Sequence, residues 1–140
     1  MSNTSHTCDA FVLACIDFRF HYLLAEPLKK LQISSYDLKC DAGAAKYLVS
    51  DEKPAVRDWI FENMDISKRL HGIKKIVLVN HYDCGAYGGN KTWSNDGEQL
   101  AFQTGQLQKA KQVVSEKFPE LEVIAVFAKP AEGVLEFQQV

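Results

Sequence analysis

"KKIVLVNHYDCG" (74–85) decides the fold. Ile76, Val77, Leu78 and Val79 form an unbroken apolar run with a β-branched core. Such a run reads as a strand covered on both faces, because a strand with one wet face alternates apolar and polar residues. The run then ends abruptly in a histidine, with a cysteine three places on: His81 and Cys84. Two other stretches have the same character. "AFVLACID" (10–17) lies upstream and "LEVIAVFAKP" (121–130) downstream.

Helical patterns separate these runs. Phe20, Leu23, Leu24, Pro27, Leu28 and Leu31 make one apolar stripe. Pro27 either kinks that helix or sits in the first turn of one that starts near Glu26. "SYDLKCDAGAA" (35–45) reads as a short strand entering a turn of small residues. "SDEKPAVRDWIFEN" (50–63) has the start of a helix, with Ser50 or Asp51 as cap and Pro54 early. Val56, Trp59, Ile60 and Met64 are expected on its buried face, and Asp65 is expected to cap a further turn, "ISKRLHG", that stops at Gly72. After a loop rich in Gly and Asn (86–97), "EQLAFQTGQLQKAKQVVSEKF" (98–118) predicts a long helix with Leu100, Leu107, Ala110, Val114 and Phe118 inward. "GVLEFQQV" (133–140) is either a last edge strand or a fraying tail. Strands alternating with helices predict one α/β domain over 1–140, a three-layer fold with a mostly parallel sheet of four to five strands flanked by helices.

Composition narrows the function classes. The chain has 140 residues, 46% hydrophobic, with a formal net charge of -2. There is no basic stripe, so no nucleic-acid partner is expected. The start, "MSNTSHTCDA", has neither a positive nor an apolar region of a secretory signal, and no apolar run is long enough for a membrane span. The expected setting is the cytoplasm. In that reducing compartment the four cysteines, Cys8, Cys15, Cys40 and Cys84, are not expected in disulfides, and metal or thiolate chemistry gains weight. Taken alone, Cys8 and Cys40 read as small buried hydrophobes.

Ligands of open parallel sheets bind beyond the carboxyl ends of the strands, where the strand order reverses. If 10–17 and 74–81 are neighbours, their ends bring Cys15, His81 and Cys84 together. Two thiolates and an imidazole suit zinc, and three protein ligands leave a fourth position open, the pattern of a catalytic site. Asp17 and Arg19 follow Cys15 at every second position, so in extended chain they point the same way. Arg19 would orient Asp17 and keep it ionised. Asp17 could then accept a hydrogen bond from a metal-bound hydroxide, or occupy the fourth position itself. Each piece has a plain alternative: a packed cysteine, a surface ion pair, a core histidine. Other cysteine chemistry fits poorly, since no Cys-x-x-Cys is present and neither Cys15 nor Cys84 has an arginine six places on.

These residues resemble a known family. "CIDFR" (15–19) is similar to the Cys-x-Asp-x-Arg motif of the β-class carbonic anhydrases, "HYDCGA" (81–86) to their His-x-x-Cys-Gly motif, and "DAGAAK" (41–46) to the turn after their second strand. The resemblance covers roughly 10 to 130. It implies a zinc (Zn2+) lyase interconverting carbon dioxide and bicarbonate by a metal-bound hydroxide, working as a homodimer or higher homo-oligomer. It implies Cys15, His81 and Cys84 as ligands, Asp17 and Arg19 as the catalytic dyad, Gly43 and Gly85 at the substrate position, and His21 as a proton carrier. The chain departs from the family in the turn, where Arg-Asn-Ala-Gly is replaced by Cys40-Asp41-Ala42-Gly43 after Lys39. Only about nine residues precede the first strand, so the pocket wall that a preceding helix supplies in that family is expected to be absent or rebuilt. Two other functions share the same residues: hydrolysis of carbon disulfide or carbonyl sulfide, and a non-catalytic, zinc-stabilised oligomeric binding protein.

Overall fold

A computed structural model describes residues 6–140. Five strands form one sheet: β1 (Ala10–Ala14), β2 (Tyr36–Cys40), β3 (Lys75–His81), β4 (Glu122–Ala131) and β5 (Val134–Gln139). Their order is β2-β1-β3-β4-β5. The first four run parallel and β5 pairs antiparallel with β4, so the sheet is mixed and "GVLEFQQV" is an edge strand. The turn from β4 to β5 brings Gly133 to φ +80, the left-handed region that glycine enters without steric cost.

Alternation along the strands divides the core into two layers. Phe11 and Leu13 of β1 and Ile76 and Leu78 of β3 face one side. Val12, Val77 and Val79 face the other. Both sets are buried, which is why the sequence runs are continuous. On the first side the sheet packs against α2 (Lys46–Val49), α3 (Pro54–His71) and α4 (Asp96–Lys117), through Leu48, Ile60, Met64, Leu107, Ala110 and Val114. The second side is covered by α1 (Ala25–Lys30) and its flanks, through Leu24, Leu28 and Ile33. Each such large side chain contributes about 1.5–3 kcal/mol when fully removed from water.

Several helix boundaries differ from expectation. Pro27 lies in the first turn of α1, as one of the two sequence readings has it. α3 is a single helix to His71 with no break at Asp65, because the Asp65 carboxylate accepts from Arg69 Nε (2.8 Å) one turn on instead of capping. It stops at Gly72, whose φ of +58 closes the helix in the left-handed region. Neither Ser50 nor Asp51 caps α3. Lys53 stands at that position without a side-chain bond, while Ser50 closes α2 and its hydroxyl accepts from the Glu52 N–H. Trp59 is not buried: it is 56% exposed, with Lys39 Nζ 6.0 Å from its ring. α4 begins two residues earlier than expected, capped by Asn95 Oδ1, which accepts from the Glu98 N–H at 2.9 Å. Among the described residues no helix is long and apolar enough to cross a membrane.

Candidate metal centre

β1 and β3 are neighbours, and the strand order reverses about them. Cys15 is the first residue past β1, His81 the last of β3, and Cys84 follows one turn later. Cys15 Sγ, one His81 ring nitrogen and Cys84 Sγ lie within 4.8 Å of one another. The two sulfurs are 3.9 Å apart.

Three local features set this geometry. Asp83 adopts φ +59, a left-handed step that turns the chain so that Cys84 comes back beside His81. Its N–H is held by Gln99 Oε1 (2.8 Å) and its Oδ1 accepts from the Asn90 N–H (2.8 Å). Gly43, at φ +82, brings its N–H to 3.5 Å from Cys15 Sγ. A Cβ there would stand 3.0 Å from Ala86 Cβ and 3.1 Å from Lys46 Cβ, tight enough that these neighbours would have to shift. Gly85 has no such constraint, since a Cβ there would meet nothing within 4 Å.

His81 is 3% exposed. Its Nδ1 lies 2.7 Å from the Tyr82 carbonyl, which can only accept, so Nδ1 carries the proton and Nε2 presents a lone pair. That Nε2 is buried and has no hydrogen-bond partner among the described residues. An orphaned buried acceptor costs about 1–3 kcal/mol. A cation between Nε2 and the two sulfurs satisfies it, and the Tyr82 carbonyl holds the ring as outer partners of metal-bound histidines do. Phe20 packs against the ring with centroids 4.6 Å apart. The donor set, two sulfurs and an imidazole, fits zinc.

Each of the two thiols governs the other's ionisation. Cys84 beside it and the Gly43 N–H hold Cys15 well below the usual thiol range. The neighbouring Cys15 sulfur and burial push Cys84 well above it. Without a cation, the pair therefore shares one proton, and a dication removes the repulsion that retains it.

Asp17 and Arg19 stand beside this set as a locked pair. Arg19 Nη2 donates to Asp17 Oδ2 at 2.6 Å, Nε to Oδ1 at 3.0 Å, and the Arg19 backbone N–H to Oδ1 at 3.0 Å. These bonds hold the Asp17 carboxyl down at about 2. Asp17 Oδ2 is 3.7 Å from His81 Nε2. Sequence reasoning missed the other arm of the clamp: Arg19 Nη1 reaches Asp83 Oδ2 (3.2 Å) and Nη2 the Asp83 carbonyl (3.1 Å). The segment is a turn after β1 rather than extended strand, so this clamp and not simple alternation aligns the pair.

A buried polar network also escaped the sequence. Asn80 is 1% exposed; its Oδ1 accepts from the Ala45 N–H (3.1 Å), and its Nδ2 donates to Gln103 Oε1 (2.8 Å) and Tyr87 Oη (3.1 Å). It ties the turn after β2 and α4 to the strand carrying His81. Its one visible sign was a polar residue within a β-branched run. Lys46 Nζ donates to the Ala86 carbonyl (2.9 Å), fastening the turn to the loop after Cys84. Exposed His21 sits with Nε2 3.1 Å from the Cys15 carbonyl.

Fold and site together define an α/β protein with a two-sulfur, one-nitrogen metal-ligand set at the switch point of its sheet. A family model described as "Putative carbonic anhydrase" matches residues 5–138, and the chain belongs to that family. Its fold is that of the β-carbonic anhydrases. It resembles a carbonic anhydrase from Glaciozyma antarctica (TM-score 0.56, 15% identity, 91% of this chain and 80% of that one). It also resembles one from Streptococcus mutans (TM-score 0.52, 16% identity, 98% and 86%). A third likeness is to tetrameric β-carbonic anhydrases of Sordaria macrospora (TM-score 0.53, 13% identity, 94% and 81%). By sequence, an uncharacterized protein of Rickettsia conorii is 29% identical over 137 residues, covering 95% of this chain and 73% of that protein. One from Rickettsia bellii is 28% identical over 137 residues, covering 95% and 83%.

Proposed function

We propose that this chain is a zinc-dependent carbonic anhydrase-like lyase that interconverts carbon dioxide and bicarbonate, with Cys15, His81 and Cys84 as the ligands. The observation that carries the reading is the buried, partnerless His81 Nε2 facing two sulfurs, with an ionised Asp17 clamped 3.7 Å away. Zinc in such a site supplies a water whose pKa is lowered towards neutrality, and so a nucleophile at physiological pH.

The chain's own residues do the rest. Asp17 accepts a hydrogen bond at Oδ2 and orients the attacking oxygen. Arg19 keeps that carboxylate ionised and engages both of its oxygens, and Asp83 steadies Arg19 from the far side. Gly43 lets the turn after β2 approach Cys15, and the open space at Gly85 admits substrate beside Cys84. His21, with Nε2 engaged by the Cys15 carbonyl, has Nδ1 to carry a proton to solvent. Exposed apolar side chains on the segment after β1, Ile16, Phe18 and Tyr22, support a homodimer or higher homo-oligomer that covers them next to the site.

The same ligand set could instead hydrolyse carbon disulfide or carbonyl sulfide, or hold a metal in a non-catalytic binding protein. The clamp favours an open site, because it engages both Asp17 oxygens with Arg19. The test is Asp17→Asn. It should lower the carbon dioxide hydration rate by about a hundred-fold or more, as loss of a positioned acid–base group does, with zinc retained. An unchanged rate would remove Asp17 from the reaction.

A further inference from the structure

A second set of metal-ligating side chains sits at the opposite end of the sheet. Cys8 precedes β1, Asp37 lies at the amino end of β2, and His71 closes α3. Parallel pairing sets Ala10 beside Tyr36, and the Cys8 N–H donates to the His71 carbonyl at 3.1 Å, so three separate segments meet there. Cys8 Sγ, an Asp37 carboxylate oxygen and a His71 ring nitrogen all lie within 4.8 Å of one another, each residue half-buried. Two bonds orient the set: His71 Nδ1 and Ser67 Oγ each donate to Asp37 Oδ2 at 2.6 Å. His6 packs edge-on against His71 with ring centroids 5.1 Å apart, placing a second imidazole beside the set.

We propose that Cys8, Asp37 and His71 form a second site for a borderline transition-metal dication such as zinc or cobalt(II). A thiol, a carboxylate and an imidazole are all donors that zinc takes. The thiol and the imidazole select against magnesium and calcium, which take oxygen ligands. A thiol nucleophile served by the His71–Asp37 pair is the competing chemistry. Burial and the Asp37 charge push the Cys8 thiol up, so a thiolate forms there only where a cation stabilises it. On metal binding the thiol proton leaves to the buffer as the sulfur–metal bond forms, and His71 binds through the ring nitrogen that does not donate to Asp37. The ion then staples the segment before β1 to β2 and to the end of α3. This site does not depend on the reading of Cys15, His81 and Cys84.

Metal content of the full-length chain, dialysed against zinc and then against metal-free buffer, tests the proposal. The wild type should hold about two zinc ions per chain, one for each ligand set. Cys8→Ser should lower this by one and leave carbon dioxide hydration unchanged, and Cys84→Ala should also lower it by one. Cobalt(II) gives a second readout. In Cys15→Ala/Cys84→Ala a near-ultraviolet thiolate-to-cobalt absorption should persist, and a further Cys8→Ser should abolish it. One zinc in the wild type that Cys8→Ser removes and Cys84→Ala spares would uphold this site and sink the reading of the first. A metal content that Cys8→Ser leaves unchanged overturns the proposal, whether or not the cobalt variant folds.

Discussion

Asp17 shares its carboxylate between Arg19 and the space beside His81 Nε2, and that position makes its ionisation a stability term. Its folded pKa is depressed from 3.8 to about 2, chiefly by the Arg19 hydrogen bonds. A depressed carboxylate pKa stabilises the fold above the unfolded value, and that stabilisation is lost as pH falls through the folded one. Denaturation of the metal-free protein should therefore show wild type more stable than Asp17→Asn at neutral pH, with the gap closing between pH 3.8 and about 2. Parallel profiles across that window would mean the clamp contributes nothing. At this scale the meeting of Cys15, His81 and Cys84 was legible, because each sits at or just past the point where a buried apolar run stops. Asp83, Asn80 and Gln103 were not. They act through partners distant in sequence, and nothing local distinguishes Asp83 from a surface turn residue until Arg19 is folded against it.

Among the elements, the turn between β2 and α2 carries the sharpest demand. Gly43 combines a positive φ with a Cβ direction already occupied by Ala86 and Lys46. Gly43→Ala should cost about 1–2 kcal/mol from the left-handed backbone alone and more from the clash, while weakening zinc binding by displacing the N–H from Cys15. Gly85→Ala meets no atom and should leave stability nearly unchanged. Thermal melts and zinc competition against a chelator compare the two, and equal losses would contradict the steric argument. Strands were easier to read than helix ends. A run buried on both faces has no polar residue to confuse it, whereas Asp65 could as well cap a new turn as pair with Arg69, and only the folded helix decides. Trp59 misled for a related reason: α3 turns it outward over Lys39, and helical spacing alone does not say which flank of an apolar stripe meets the sheet.

At the scale of the whole molecule, the β2-β1-β3-β4-β5 order puts two chemically rich ends on one sheet. The carboxyl ends hold Cys15, His81 and Cys84; the amino ends hold Cys8, Asp37 and His71. The first pairing was foreseeable from the assumption that the first and third strands are adjacent. The second was not, because Cys8 and Asp37 meet only through the register of β1 on β2, and His71 only once α3 runs unbroken to Gly72. The apolar segment after β1 belongs to this scale too. Phe18 is 83% exposed and Tyr22 79% exposed, an arrangement that a second copy would cover. Phe18→Asp should shift the chain towards monomer in sedimentation, since an unpaired charge in a buried interface is costly. An unaltered oligomer would place the interface elsewhere.

The most direct measurement is stopped-flow carbon dioxide hydration by the zinc-loaded chain, run side by side with Cys84→Ala. Hydration well above the buffer rate in the wild type, lost in Cys84→Ala, is the result expected of a catalytic centre at Cys15, His81 and Cys84. A wild-type chain that holds zinc at those residues yet hydrates no faster than buffer, or a Cys84→Ala variant as fast as wild type, would contradict it.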